Sequence, residues 1–423
     1  MLNVCCSLWL WASVALFALC APCPLWLTAQ APSLGRISFP TSGSAAAQPH
    51  FLRGVLLLHS FEYDEAIDAF RTAQTLDPGF VMAYWGEAMC YNQPLWYNEN
   101  LEKARAALAR LAPTPEARAR KAPDARERAY LTAVERLFGD GDKPTRDHEY
   151  AARMAALVRQ YPADDEAAAF YALALLGTIP SGERRPAISL QAGAIAAAIL
   201  ERNPQHPGAA HYTLHAYDDG EHAAMGLKAA RIYATIAPAS SHARHMPSHV
   251  FLPLGMWDDA AASDESSFAV SVDRVKRLGL SIAQADFHSL DWLQYEYLQQ
   301  GRFAKARELM EPVRRALNIP NLLNPAHPPN LTNPAYSANP VSHAQHVESE
   351  IGRGFDQTSI KSELASMRAR LVIESSDWAQ MKGAGSFDNI DELFALGLSS
   401  VGLGDFARAD AAKIGRASCR ERV

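Results

Sequence analysis

The chain contains 423 residues, of which 48% are hydrophobic and 20% are charged, and its formal net charge at pH 7 is −6. This hydrophobic fraction is sufficient for a packed core, so general disorder is excluded. The negative charge argues against a nucleic-acid-binding protein, which carries a basic stripe, and we expect no nucleic-acid partner.

The first 31 residues are predicted to be a secretory signal peptide. Residues 8–27 are apolar and uncharged, and Ala29–Ala31 supplies the small residues of a cleavage site. The mature protein is therefore expected in the periplasm or outside the cell, and no later apolar run is long enough to span a membrane. No basic residue precedes the apolar run, the first being Arg36, so an uncleaved N-terminal membrane anchor is the alternative.

Cysteine chemistry is expected to be minimal. Four cysteines lie in the predicted signal peptide: Cys5, Cys6, Cys20 and Cys23. Residues 413–423 resemble a translated sequencing adapter, which accounts for Cys419 and predicts that the natural C-terminus is missing. The remaining Cys90 lies in an apolar run, which favours a core position over a reactive one.

Four short segments repeat along the chain: SFEYDEA (60–66), LGMWDDA (254–260), QGRFAKA (300–306) and LGDFARA (403–409). Each has an aromatic residue, two variable residues and an alanine, and three have glycine two positions before the aromatic. Apolar runs with helical spacing flank each segment, so each predicts a tight turn between two helices that pack closely at the alanine. Two prolines that end second helices, Pro204 and Pro238, are 34 residues apart.

This pattern resembles the tetratricopeptide repeat in length, in its small and aromatic positions and in its closing proline. The resemblance implies an all-α fold, a right-handed α-solenoid of helix pairs over residues 47–317 and 348–412, with an Asn/Pro-rich insertion at 318–347. Predicted units begin at Ala47, Val81, Pro207, Ser241, Phe287 and Ile390, with less regular helix pairs over 122–162, 164–204 and 362 to the low 380s. We expect such a solenoid to bind a protein, peptide or small ligand in its concave groove.

Six of the 14 histidines fall in three consecutive predicted units, and they share one register. Counted from each unit start, they occupy places two, five and nine, which form one stripe of the first helix. Asp218, Asp291 and Tyr295 fall on the same stripe. The resemblance implies that this stripe faces the groove. The stripe comprises His211, His215, His242, His245, His249 and His288, with Asp218, Asp291 and Tyr295.

Two chemistries fit this stripe. Neutral imidazoles bind Zn, Cu or Fe, and the HxxxH spacing of His211 and His215 lets one helix hold one ion. The metal hypothesis assigns one ion to His211, His215, His245, His249 and His288, with Asp218 or Asp291 assisting. In the alternative, the stripe contacts a peptide or small ligand, through His242, Asp291 and Tyr295 among others, or the histidines have structural roles.

The string HMPSHVF (His245–Phe251) also resembles one found in a group of exported bacterial tetratricopeptide proteins, but this likeness implies no activity. Phosphate-loop, dinucleotide-binding and nucleophile-elbow motifs are absent from the sequence, so whether the protein is an enzyme stays open. Trp85 and Met89 are predicted to line an apolar part of the groove, with core packing as the alternative. The other histidines considered are expected at the surface: His50, His59, His148, His206 and His222.

Overall fold

The structure, a computed structural model, describes residues 33–317, 357–384, 387 and 389–412. The predicted signal peptide, the Asn/Pro-rich insertion and the adapter-like end lie outside the described residues. Among the residues described, none of the helices combines the length and apolar character that crossing a membrane requires.

Most of the described residues are helical, and the rest are turns, irregular segments and two short strands. Two short strands, β1 (Asn92–Gln93) and β2 (Asn98–Glu99), pair in antiparallel fashion. A further helical segment covers residues 406–412. The helices are α1 (Gln48–His59), α2 (Tyr63–Leu76), α3 (Val81–Met89), α4 (Leu101–Leu111), α5 (Pro115–Lys121), α6 (Ala125–Leu137), α7 (Lys143–Gln160), α8 (Asp165–Gly177), α9 (Pro186–Arg202), α10 (Pro207–Ala216), α11 (Ala223–Ile236), α12 (Ser241–His245), α13 (Ser248–Phe251), α14 (Trp257–Leu278), α15 (Phe287–Gln299), α16 (Phe303–Glu308), α17 (Met310–Leu317), α18 (Gln357–Ser375) and α19 (Ile390–Gly402).

Consecutive helices pack against one another along the chain, as in α1 with α2, α6 with α7 and α10 with α11. The predicted all-α fold of successive helix pairs is therefore confirmed. Helices begin at five of the six predicted unit starts. At the remaining start, Ala47, helix α1 begins one residue later. The prediction of a helix pair from residue 362 to the low 380s was wrong. This region contains a single helix, α18, which ends at Ser375 because Ser376 has a positive φ of 54°, and a 3-10 turn follows at Trp378–Met381.

Trp85 and Met89 belong to the core, which corrects their predicted place in an open groove. Trp85 is 0% exposed, and its ring lies 6.0 Å from Phe39 and 5.1 Å from Phe170 between ring centroids. The Met89 sulfur lies 3.7 Å from the Tyr150 hydroxyl. The physical reason is that an extended segment, residues 33–40, lays Phe39 across α3, which the repeat pattern could not indicate.

The contact between α1 and α10 positions the histidine region, and it requires a glycine on α10. A Cβ at Gly208 would overlap the His59 imidazole, with Cε1 only 2.8 Å away. We expect Gly208→Ala to lower the free energy of unfolding by about 1–3 kcal/mol, since overpacking outweighs the gain in helix propensity.

Urea unfolding checks this prediction, with Gly220→Ala as the control. No atom lies within 4 Å of a Cβ at Gly220, so we expect a change within about 0.5 kcal/mol there. Equal stability of the two variants would contradict the close approach of α1 to α10.

Candidate metal centre

Four helices, α10, α12, α13 and α15, carry the six histidines, and a side chain caps the start of α10, α12 and α15. In α10, the His206 Nδ1 accepts a hydrogen bond from the Ala209 amide at 3.2 Å. In α12, the Ser240 hydroxyl accepts one from the Ala243 amide, and in α15 the Asp286 carboxylate accepts one from the Ser289 amide. Such caps satisfy amides that have no partner inside the helix. They fix the starts of the helices and with them the direction of the histidine stripe.

The first histidine group consists of His211, His215 and His242. The His211 Nε2 lies 2.8 Å from the His242 Nε2 and 3.0 Å from the His215 Nε2. One nitrogen from each ring lies within 4.8 Å of the others. His211 and His242 are buried and His215 is half-buried, so this group lies largely inside the protein.

The second histidine group consists of His245, His249 and His288. The Nε2 atoms of His245 and His249 are 3.0 Å apart, and the His288 ring lies 4.8 Å from the His245 ring between centroids. One nitrogen from each of the three rings again lies within 4.8 Å of the others. His245 is buried, His249 is half-buried and His288 is exposed, so solvent reaches this group from the His288 side.

The structure therefore divides the predicted stripe into two groups, where the sequence predicted one ion shared by five histidines. His242, predicted only as a groove residue, completes the first group. The reason is that α12 supplies one imidazole to each group: His242 meets the pair on α10, whereas His245 meets His249 on α13 and His288 on α15. The groups are adjacent: ring centroids are 6.3 Å apart for His242 and His245 and 6.2 Å apart for His215 and His249.

The tautomer of His211 follows from its outer hydrogen bond. Its Nδ1 lies 2.6 Å from the His59 carbonyl oxygen, which only accepts, so Nδ1 carries the proton and donates. The Nε2 lone pair therefore points at the Nε2 atoms of His215 and His242. One lone pair accepts one well-aligned hydrogen bond, whereas a metal ion in the same space binds all three nitrogens.

Two carboxylates form hydrogen bonds to imidazoles of the second group. The His249 Nδ1 donates to the Asp218 carboxylate at 2.8 Å, and the His245 Nδ1 lies 2.6 Å from Asp264 Oδ1. Burial acts to raise the pKa of Asp218, but the adjacent His249 more than offsets this and the pKa is lowered. Burial raises the pKa of Asp264, and burial beside Asp264 raises the pKa of Glu296 to about 10, so this carboxyl pair holds a proton at neutral pH.

Aromatic rings wall both groups. The Phe61 ring lies 4.3 Å from the His211 ring, on a residue whose φ is +57°, and Trp96 lies 6.2 Å from His242. Trp292 stacks on His249 at 4.2 Å. Sequence reasoning missed Phe61 and Trp292, as well as Asp264 and Glu296. Trp292 had a usable signal, since it lies four residues after His288 and so shares its helix face.

Asp291 and Tyr295 lie on the predicted stripe but have other partners. Both Asp291 carboxylate oxygens accept hydrogen bonds from Arg370, at 2.8 and 3.0 Å. The Arg370 guanidinium lies 5.7 Å from the Tyr295 ring, whose other face is near Trp257. Because the Asp291 carboxylate pairs with Arg370, Asp291 does not assist either histidine group.

A third cluster joins His59, Glu166 and His206, and all three side chains are buried. The predicted surface positions of His59 and His206 were therefore wrong, because the contact between α1 and α10 covers them. The Glu166 oxygens lie 2.7 Å from the His59 Nε2 and 3.2 Å from the His206 Nε2. The outer nitrogens also have partners: the His59 Nδ1 lies 2.9 Å from the Tyr212 hydroxyl, and the His206 Nδ1 caps α10. The His59–Glu166 contact is a hydrogen bond, whereas His206 and Glu166 are within ion-pair distance.

No protein-family model matches the chain, and no curated protein matches it. Solved structures with similar helical folds include a Rap protein complexed with competence and sporulation factor, at 12% identity, with 90% of this chain and 99% of that chain covered and a TM-score of 0.34. An IFIT1 monomeric mutant with Gppp-AAAA shares 12% identity, with 90% and 92% covered and a TM-score of 0.33. The P58(IPK) TPR domain shares 13% identity, with 89% and 98% covered and a TM-score of 0.20.

Proposed function

We propose that this helical repeat protein is a metalloprotein that holds two transition-metal ions, one in each histidine group. The observation that carries the proposal is the convergence of six imidazoles into two groups of three. In each group, one nitrogen from each ring lies within 4.8 Å of the others. In each group two histidines four residues apart are joined by a third histidine from a neighbouring predicted repeat unit. The stripe predicted from the sequence thus supplies the ligands of both sites.

The type of ligand limits which metal ions the two sites can bind. Neutral imidazole suits Zn, Cu and Fe, whereas Ca²⁺ and Mg²⁺ prefer oxygen ligands. Three imidazoles leave a further coordination position on each ion for a non-protein ligand, as in catalytic zinc sites. The outer hydrogen bonds to the His59 carbonyl, Asp218 and Asp264 are the kind that orient metal-bound imidazoles.

Binding of a protein or peptide in a groove remains a prediction, as does export. The described contacts favour the metal function over the groove, because Trp85 and Met89 are buried and Arg370 engages Asp291. A purely hydrogen-bonded cluster is disfavoured by the first group, where two nitrogens compete for the single His211 lone pair.

Elemental analysis tests the proposal. Protein purified without a polyhistidine tag is stripped with chelator, loaded separately with Zn, Cu or Fe, and freed of excess metal by gel filtration. We expect about two ions per chain for at least one metal, and the same content in His222→Ala, whose imidazole pairs with Asp219 outside both groups. Folded protein that retains none of the three metals would refute the proposal.

Asp218 is expected to influence one ion and not the other. Asp218→Ala removes the acceptor that orients His249, so the affinity for the second-group ion should fall about 10–100-fold while the first-group ion is unaffected. The carboxyl is 36% exposed, so the fold should tolerate the change.

Competition titration with a chromophoric chelator measures both affinities. Asp219→Ala is the matched control, because this neighbouring carboxylate pairs with His222. Equal losses at both sites, or no loss at either, would contradict the assignment of Asp218 to the second group.

A further inference from the structure

We propose that the two metal ions form one centre that binds a single small anion in contact with both of them. This inference rests on the proposed function. It adds a ligand class, an anion with nitrogen or oxygen donors and only a few atoms, and a location between the two histidine groups.

The separation of the two groups is set by one short helix. His242 and His245 are three residues apart on α12, a spacing that places Cβ atoms about 5–6 Å apart, and each joins a different group. Their ring centroids are 6.3 Å apart, little more than the 5.9 Å that separates His215 and His242 within the first group. Ions held by such adjacent rings are near enough to share a ligand, as in two-metal sites with ions about 3.5–4 Å apart.

A second contact holds the groups together on the opposite side. The His215 and His249 rings, each the second histidine of an HxxxH pair, have centroids 6.2 Å apart. Because α10 contributes His215 and α13 contributes His249 to this junction, the two groups adjoin each other at two separate pairs of imidazoles. We therefore expect the open coordination positions of the two ions to adjoin one another.

The charge of the loaded centre favours an anion. Two divalent ions bring four positive charges, and six neutral imidazoles bring none. Among the described contacts, Asp218 and Asp264 hydrogen-bond to these imidazoles, and these two carboxylates supply at most two negative charges. Uncompensated positive charge is costly in a largely buried site, so an anion between the ions lowers the energy.

The surrounding rings limit the size of the anion and leave an entrance. Phe61 and Trp292 pack directly on imidazoles of the first and second groups. Solvent reaches the centre beside His288, which is exposed, and Trp96, which is 48% exposed. Because aromatic rings pack on both groups, we expect an anion of only a few atoms, such as hydroxide or azide.

Azide binding to the copper(II)-loaded protein tests this inference. The stoichiometry is measured by calorimetry and by the azide-to-copper charge-transfer absorption, after elemental analysis has established two ions per chain. We expect one azide per two copper ions. The comparison protein is His249→Ala/His288→Ala, which keeps the first group intact, holds one ion and should bind azide at least 10-fold more weakly.

His222→Ala should bind azide as the wild type does, because this residue lies outside both groups. Two azides per chain, or equal azide affinity in the one-ion variant, would overturn the shared centre while leaving both metal sites in place. A wild type without bound metal would instead refute the proposed function at the elemental-analysis step, so the two failures are distinguishable.

Discussion

Replacing His215 and His249 by alanine is expected to remove most of the metal-dependent stability of the protein. A ligand that binds only the folded state at 1,000 times its Kd stabilises that state by about 4 kcal/mol per site. Loss of one imidazole from each group should weaken binding by at least about 100-fold, more than the loss of an outer hydrogen-bond partner. The stabilisation at the same metal concentration then falls to about 1.4 kcal/mol per site.

Thermal or urea unfolding with and without saturating metal measures this effect. His215 and His249 are half-buried, so their replacement disturbs packing less than that of the buried His211 and His245. His222→Ala, half-buried in the same region, should keep the full metal-dependent increment. An identical increment in the double variant and the wild type would show that the stabilising metal binds elsewhere.

Replacing Glu166 by alanine is expected to destabilise the protein strongly, by about 3–5 kcal/mol, whether or not metal is bound. This carboxylate contacts both His59 and His206, and the substitution leaves two buried imidazoles without their acceptor. Asp165→Ala is the matched control on the same helix. Its carboxylate pairs with Arg202 at the surface, so we expect a loss of no more than about 1 kcal/mol.

The pH dependence of this contribution has a defined sign. Burial acts to raise the pKa of Glu166, but His206 and His59 lower it from 4.5 to about 2. The folded-state pKa is below the unfolded one, so the stabilisation is present above pH 4.5 and is lost as the pH falls toward 2. The stability advantage over Glu166→Gln, on the order of 3 kcal/mol at neutral pH, should therefore shrink across this interval. An advantage that is constant from pH 5 to pH 2.5 would contradict the ionised, paired state.

Much of the helical framework could be predicted because its signals are local. The 34-residue spacing of Pro204 and Pro238 gave the starts of α10 and α12, and the segment QGRFAKA (300–306) located the helix pair that begins with α15. Counting places from these starts selected six histidines that the structure brings together. A stripe on a helix depends only on the 3.6-residue period, which the sequence contains.

The division into two groups could not be predicted, because it depends on how neighbouring helices meet. The two imidazoles of α12 contact histidines of different neighbouring helices, and the distance between stripes is a property of helix packing. Similarly, Trp85 is buried by a segment outside the repeats, and Asp291 is engaged by Arg370 from beyond the predicted insertion. The burial of His59 depends on the contact between α1 and α10, which are far apart in sequence.

Anomalous X-ray diffraction from crystals of the zinc-loaded protein tests the central claim most directly. Data collected on both sides of the zinc absorption edge should show two peaks. One is expected about 2.0–2.1 Å from imidazole nitrogens of His211, His215 and His242, and the other at the same distance from those of His245, His249 and His288. A map with no peak at either group, or with zinc only at Glu166 between His59 and His206, would contradict the assignment.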